Sequence, residues 1–185
     1  TRPVRFVRVN ALSTAWLDDD LDQVVQPGID GICLTKVASA DEILEVSSKL
    51  DGIEKRAGME PGQVRMIAAI ESAKGLINAP SIASANPRVA GLMFGAEDYA
   101  LDIGLGTRRE KEAAELIYAR SAIVVAAAAA EALSIDGVFP DLEDPEGLLK
   151  ETIQARNLGF TAKTTFHPRQ SEVTHEILSP TAEEI

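Results

Sequence analysis

Two apolar runs in this chain end in carboxylates. Arg65-Met-Ile-Ala-Ala-Ile70 leads into Glu71, and Val89-Ala-Gly-Leu-Met-Phe94 leads into Gly95-Ala96-Glu97-Asp98. If these runs are neighbouring strands, about 4.8 Å apart, acidic groups at their ends can converge on one ion. Alternation sets Glu71 on the same face as Ala69 and Ile67, and Gly95 and Ala96 leave room beside it. Two carboxylates with no accompanying histidine or cysteine suit a hard cation. Mg²⁺ takes one or two carboxylates and leaves its other positions to water and substrate oxygens. Zinc is a poor match, because His167, His175 and Cys33 are all the chain can offer it. The competing reading is that Glu71 and Asp98 cap the helices that follow, since acidic residues favour helix N-termini. Glu97 faces the other way if the strand persists, so Glu71 and Asp98 are the expected metal ligands.

Other polar groups fall at the ends of similar runs. Arg8, in Val7-Arg8-Val9-Asn10, is an arginine within an apolar strand. Its planar fork matches a carboxylate or an enolate oxygen, and a structural ion pair is the alternative. Lys36, in Cys33-Leu-Thr-Lys36, offers either a Schiff-base amine or, with more to favour it, a strand-end cation that pairs with an anion. Asp141 and Asp144 precede Pro145-Glu-Gly147 and read as loop and capping residues in preference to an acid–base pair. His167, in Phe166-His-Pro-Arg169, reads as a loop histidine held by backbone contacts, and Cys33 as an inert core thiol.

The elements that must position these groups form a regular series. Six β-type runs are expected at Val4–Val9, Asp30–Thr35, Arg65–Ile70, Val89–Phe94, Asp136–Phe139 and Phe160–Phe166, with starts 26, 35, 24, 47 and 24 residues apart. Helical segments between them predict βα units and a parallel sheet. Ser39-Ala-Asp-Glu42 has the form of a capping box, and Gly58 and Pro61 close the helix it opens. Lys111–Leu133, rich in alanine, predicts a long helix and accounts for the widest spacing. Pro145-Glu-Gly-Leu148 opens another helix, with proline near its first turn. No glycine-rich fingerprint follows the first strand, as a dinucleotide-binding sheet would have. Polar groups at nearly every strand's C-terminal end are what a barrel active site needs. The expected fold is therefore an α/β (β/α)₈ TIM barrel, with residues 1–185 forming a single domain that lacks about two N-terminal βα units.

Composition bounds the function classes. The 185 residues hold 18 basic and 29 acidic side chains, a net charge of −11, which disfavours nucleic acid and anionic membranes as partners. No run of about 18 apolar residues is present, so no membrane span is expected. One cysteine permits no internal disulfide framework, and a cytoplasmic location is expected.

Five motifs occur in order along essentially the whole chain: Val7-Arg8-Val9-Asn10, Ala69-Ile-Glu71-Ser-Ala73-Lys-Gly75, Gly91-Leu-Met-Phe-Gly95-Ala-Glu97-Asp98, Asp144-Pro-Glu-Gly147-Leu and Phe166-His167-Pro168-Arg-Gln170. Together they resemble the citrate lyase β-subunit-like branch of the HpcH/HpaI aldolase superfamily, which includes malyl-CoA and citramalyl-CoA lyases. The resemblance implies a barrel that cleaves, or in reverse condenses, a CoA thioester with a 2-oxo acid. It implies Glu71 and Asp98 as Mg²⁺ ligands, Glu71 also facing substrate, Arg8 as the substrate-contacting catalytic residue, and a homo-oligomer, commonly a trimer. The family's C-terminal lid with its catalytic aspartate has no counterpart among these residues, and no CoA-binding residue is identified. Competing functions are a metal-dependent aldolase acting on free hydroxy-oxo acids and a non-catalytic barrel subunit that binds 2-oxo acids.

Overall fold

A computed structural model of the protein describes residues 2–105 and 113–181. Six strands and eight α-helices alternate through these residues. The strands are β1 (Phe6–Val9), β2 (Gly31–Leu34), β3 (Arg65–Ile70), β4 (Val89–Phe94), β5 (Leu133–Asp136) and β6 (Ala162–Lys163). The helices are α1 (Leu17–Val24), α2 (Ala40–Arg56), α3 (Ala73–Ile77), α4 (Ala79–Ala83), α5 (Ala96–Asp102), α6 (Ile117–Ala129), α7 (Pro145–Leu158) and α8 (Pro168–Leu178). All strands pair in parallel, in the sheet order β1-β2-β3-β4-β5-β6.

That order corrects the expected architecture. A closed (β/α)₈ barrel has no sheet edges, whereas this sheet has six strands and is open, with β1 and β6 at its edges. The helical periodicity and βα spacing foretold the parallel pairing, but six strands cannot supply the eight a closed barrel requires. The sequential order also separates the sheet from a doubly wound one, in which the strand order reverses at a switch point. Sequential parallel strands joined by right-handed crossovers, the general rule, put their helices on one face of the sheet.

Burial follows that division. Ile32, Leu34, Met66, Ala68, Ile70, Leu92 and Phe94 are buried almost completely beneath the helices, which contribute Leu21, Ile43, Val46, Leu50, Ile82 and Ile123 to the same core. On the opposite face Ile67, Met93 and Ile135 are half-buried and Arg8 is exposed. Side chains on one strand alternate between these faces, so the polar groups at the strand ends line the open side.

Local signals account for most boundaries. Ser39 caps α2 by accepting the N–H of Glu42 at 3.4 Å, while Glu42 Oε2 reaches back to the N–H of Ala38 at 3.0 Å. This is a capping box displaced by one residue at its return bond. Helix α2 ends at Arg56, and Gly58 then takes a left-handed φ of 69°. The fifth strand lies earlier than expected, at Leu133–Asp136 in place of Asp136–Phe139. The alanine-rich helix stops at Ala129, Glu131 turns the chain with a φ of 54°, and Leu133 already belongs to the sheet. Alanine propensity masked this break, because nothing between Ala130 and Leu133 signals a turn in the sequence. The expected start of that helix at Lys111 lies outside the described residues. Within them it begins after a short 3₁₀ turn at Ala114–Leu116.

Buried charge occurs at the two ends of the sheet. At the N-terminal ends, Arg88 grips Glu54 with two bonds of 2.9 and 2.6 Å, pairs with Asp51, and donates to the carbonyl of Val64 at 2.9 Å. Glu54 is fully buried and also accepts the N–H groups of Val64 and Gly62. Burial pushes the Glu54 carboxyl up, but Arg88 and those two N–H groups outweigh it and hold it below its ordinary value. The second network, at the C-terminal ends of β5 and β6, joins Arg120, Asp136, Glu151 and Lys163.

Candidate metal centre

The end of β2 sets the geometry of the site. Lys36 adopts a left-handed φ of 55°, a conformation that costs a non-glycine residue about 1 kcal/mol or more. In that conformation its backbone N–H donates to Glu71 Oε2 at 3.1 Å, and Val37 N–H donates to the carbonyl of Ala69 at 3.1 Å. The Lys36 ammonium lies 3.8 Å from Asp98 Oδ2. One residue thus touches both carboxylates, one through its backbone and one through its side chain.

Glu71 leaves β3 between two close neighbours. Gly95 N–H donates to the carbonyl of Ile70 at 2.9 Å, which holds the two strand ends in register. A Cβ added at Gly95 would stand 2.3 Å from Glu71 Cγ and 2.9 Å from its Oε1. Glycine here is a spatial requirement of the Glu71 side chain, since its φ of −96° is open to any residue. Asp98 sits in the first turn of α5, and the far end of that helix is tied back by Asp102, which accepts the N–H of Ala73 at 2.8 Å. The two loops that carry the carboxylates are therefore joined to each other.

Glu71 and Asp98 line a common hollow of about 320 Å³ with Arg8, Val9, Asn10, Thr35 and Lys36. A second hollow of about 180 Å³ shares Arg8, Glu71 and Asp98 and continues to Met93, Phe94, Glu97, Gly137, Val138 and Thr164. Burial pushes the Glu71 carboxyl up, and the Asp98 charge pushes it further. The Lys36 N–H, the Lys36 ammonium and Arg8 oppose this, and the carboxyl remains above its ordinary value. Among the described residues no group of three or more His, Cys, Asp or Glu side chains is placed to hold a metal ion. An oxygen donor set of two carboxylates opening onto a polar hollow fits Mg²⁺, which leaves its other positions to water and ligand.

The remaining candidates sort clearly. Arg8 is exposed and opens onto both hollows, so it is not a buried structural ion pair. Glu97 is placed by a helix, not by an extension of β4, and it lies on the rim of the second hollow instead of facing away. Asp144 caps α7 through Gly147 N–H at 2.9 Å, and Asp141 accepts the N–H of Glu143 at 2.9 Å. His167 caps α8 by accepting the N–H of Arg169 at Nδ1, 3.2 Å away. Cys33 is buried beside the site, and desolvation, aided by the Glu71 charge, pushes its thiol up to about 11.

Three contributions were not legible in the chain. Asp20 on α1 takes both the backbone and side-chain N–H groups of Asn10 at 2.8 Å. Thr35 Oγ1 donates to the carbonyl of Val9 at 3.0 Å. The left-handed Lys36 is the third, and Thr-Lys-Val carries no glycine or asparagine to announce it.

The chain is 39% identical over 180 residues to the citrate lyase subunit beta of Escherichia coli (strain K12), covering 97% of this chain and 59% of that protein. It is 34% identical over 182 residues to a (3S)-malyl-CoA thioesterase of Cereibacter sphaeroides, covering 98% and 59% respectively. It spans about 59% of the length of these relatives. The citrate lyase beta subunit of M. tuberculosis, solved with oxaloacetate and magnesium, superposes with a TM-score of 0.79 at 30% identity, over 95% of this chain and 73% of that one. Residues 3–168 match the profile of HpcH/HpaI aldolase/citrate lyase, and the chain belongs to that family.

Proposed function

We propose that residues 1–185 carry the metal centre of a Mg²⁺-dependent carbon–carbon lyase. The substrate class is a 3-hydroxyacyl-CoA thioester such as malyl-, citramalyl- or citryl-CoA, and the products are an acyl-CoA and a 2-oxo acid. The observation that carries this reading is the meeting of Glu71 and Asp98, from adjoining strand ends, in one hollow with Arg8. Support comes from the relatives, one a malyl-CoA thioesterase by name and one a citrate lyase subunit solved with oxaloacetate and magnesium.

Glu71 and Asp98 would hold the ion, and Gly95 keeps the Glu71 side chain clear of backbone. The bound ion supplies Lewis acidity at the carbonyl of the 2-oxo acid. Arg8 presents its guanidinium to oxygen that gains negative charge as the carbon–carbon bond breaks, a contribution of about 3 kcal/mol in comparable sites. Lys36 orients Glu71 through its N–H and tempers the charge of Asp98.

The test is cleavage of these three thioesters by the full-length protein, before and after exhaustive EDTA treatment. Activity should vanish with the metal, return with Mg²⁺, and be lost in Glu71→Gln and Asp98→Asn. Cleavage that persists without metal defeats the proposal. Turnover of a free hydroxy-oxo acid with no CoA moiety moves the substrate class to that of a metal-dependent aldolase.

A further inference from the structure

The second buried charge network lies directly behind the wall of the hollow. Asp136, the last residue of β5, accepts from Arg120 Nε at 3.1 Å and Nη2 at 2.9 Å, and from Lys163 Nζ at 2.8 Å. Lys163 Nζ also donates to Glu151 Oε1 at 2.7 Å and to the backbone carbonyl of Gly137 at 3.0 Å. Arg120 comes from α6, Glu151 from α7 and Lys163 from β6, so four elements meet at the end of β5. The Lys163 side chain is fully buried, and those of Arg120 and Asp136 are only 3% exposed.

Two positive and two negative charges cancel here, yet burying them is costly, and apolar side chains of similar volume would hold four elements together as well or better. What apolar groups cannot do is hold a carbonyl at a fixed point. Lys163 does so at Gly137, and Gly137 and Val138 line the second hollow opposite Glu71 and Asp98. Contact continues toward the carboxylates: a Cβ on Gly137 would stand 3.0 Å from the Phe94 carbonyl and 3.4 Å from Ala96 Cβ. Arg120, Asp136 and Glu151 of the network share the lining of one small cavity with Phe94, Ala96, Gly137 and Val138.

We propose that the Arg120–Asp136–Lys163–Glu151 network is a positioning device for the reaction, setting the Gly137–Val138 wall against which the reacting part of the substrate is held. The inference rests on the lyase reading above for the identity of the hollow. Its residues touch no ligand and act through the backbone at Gly137.

The experiment compares Lys163→Met and the milder Glu151→Gln with Glu54→Gln, which damages the other buried network far from the hollow. In the full-length protein, both network variants should lower kcat about 10–100-fold, the scale of a small misplacement of reacting groups. They should leave Mg²⁺ affinity within about threefold, because Glu71 and Asp98 are held by Lys36 and Gly95. The methyl resonances of Val138 should shift or broaden. Glu54→Gln should lower the melting temperature with kcat and the Val138 signals unchanged. Unchanged kcat and Val138 signals in both network variants overturn the proposal, as does an equal effect from Glu54→Gln. If Lys163→Met does not fold, Glu151→Gln decides. If the wild type cleaves no thioester, the proposed function falls, and the Val138 and Mg²⁺ measurements alone settle whether the network positions the wall.

Discussion

Replacing Gly95 by alanine is the sharpest single test of how the carboxylates are arranged. The backbone there has a φ of −96° and a ψ of 80°, so alanine brings no conformational strain and the effect is steric. The new methyl would lie 2.3 Å from Glu71 Cγ, an atom near the root of the side chain that cannot yield without rotation about χ1. Rotation takes Oε2 off the Lys36 N–H, now 3.1 Å away. Forcing a methyl into a filled site costs about 1–3 kcal/mol, and a hydrogen bond to a charged group is worth about 1.5–3 kcal/mol. If about 2 kcal/mol of this falls on the metal-holding conformation, the Kd for Mg²⁺ rises about 30-fold. Calorimetric titration with Mg²⁺ measures it, and Gly91→Ala is the control. That methyl, on β4, would meet the Leu133 carbonyl of the neighbouring β5 at 2.9 Å, away from Glu71, so it should cost stability and spare the affinity. Gly95→Ala binding Mg²⁺ within about twofold of wild type, or Gly91→Ala weakening it as much, refutes the reasoning.

Arg88→Met leaves Glu54 buried without its cation, and should destabilise the protein by about 3–5 kcal/mol in urea titrations. Asp30 accepts two 2.7 Å bonds from Arg2 and one from Arg5 N–H, which hold its carboxyl at about 2, against an ordinary 3.8. A depressed carboxylate stabilises the fold above its unfolded value, so this contribution is present from about pH 4 upward and is lost as pH falls through about 2. Acid titration of Asp30→Asn should lack that part of the unfolding profile. The Cys33 thiol, pushed up to about 11 and buried, should resist a thiol reagent at pH 8 in the native protein and react at once in urea.

Much of this arrangement was legible because it depends on period and on residue type. Ala69-Ile-Glu71 and Phe94-Gly95-Ala-Glu97-Asp98 place acidic groups where strands end, and alternation indicates the face of Glu71, while α5 sets that of Glu97 and Asp98. Helix caps at Ser39 and Asp144 read correctly, since each is a local bargain between one side chain and a nearby N–H, whereas His167, expected as a loop residue, caps α8. Sheet closure did not read correctly, because the number of strands, not their pattern, decides whether a sheet meets itself. The fifth strand was misplaced where helix propensity ran up to a turn at Glu131 that no sequence signal marks. The Asn10–Asp20 pair, the Asp102–Ala73 tie and the charges around Lys163 depend on residues that approach only in three dimensions. No linear spacing encodes such a meeting.

Because each strand pairs only with those next to it along the chain, assembly requires no distant partner. Arg8, Lys36, Glu71 and Asp98 belong to the first four strand–helix repeats in succession. During synthesis, Arg8, Lys36, Glu71 and Asp98 are all added before β5 begins, whereas Lys163 is added after it.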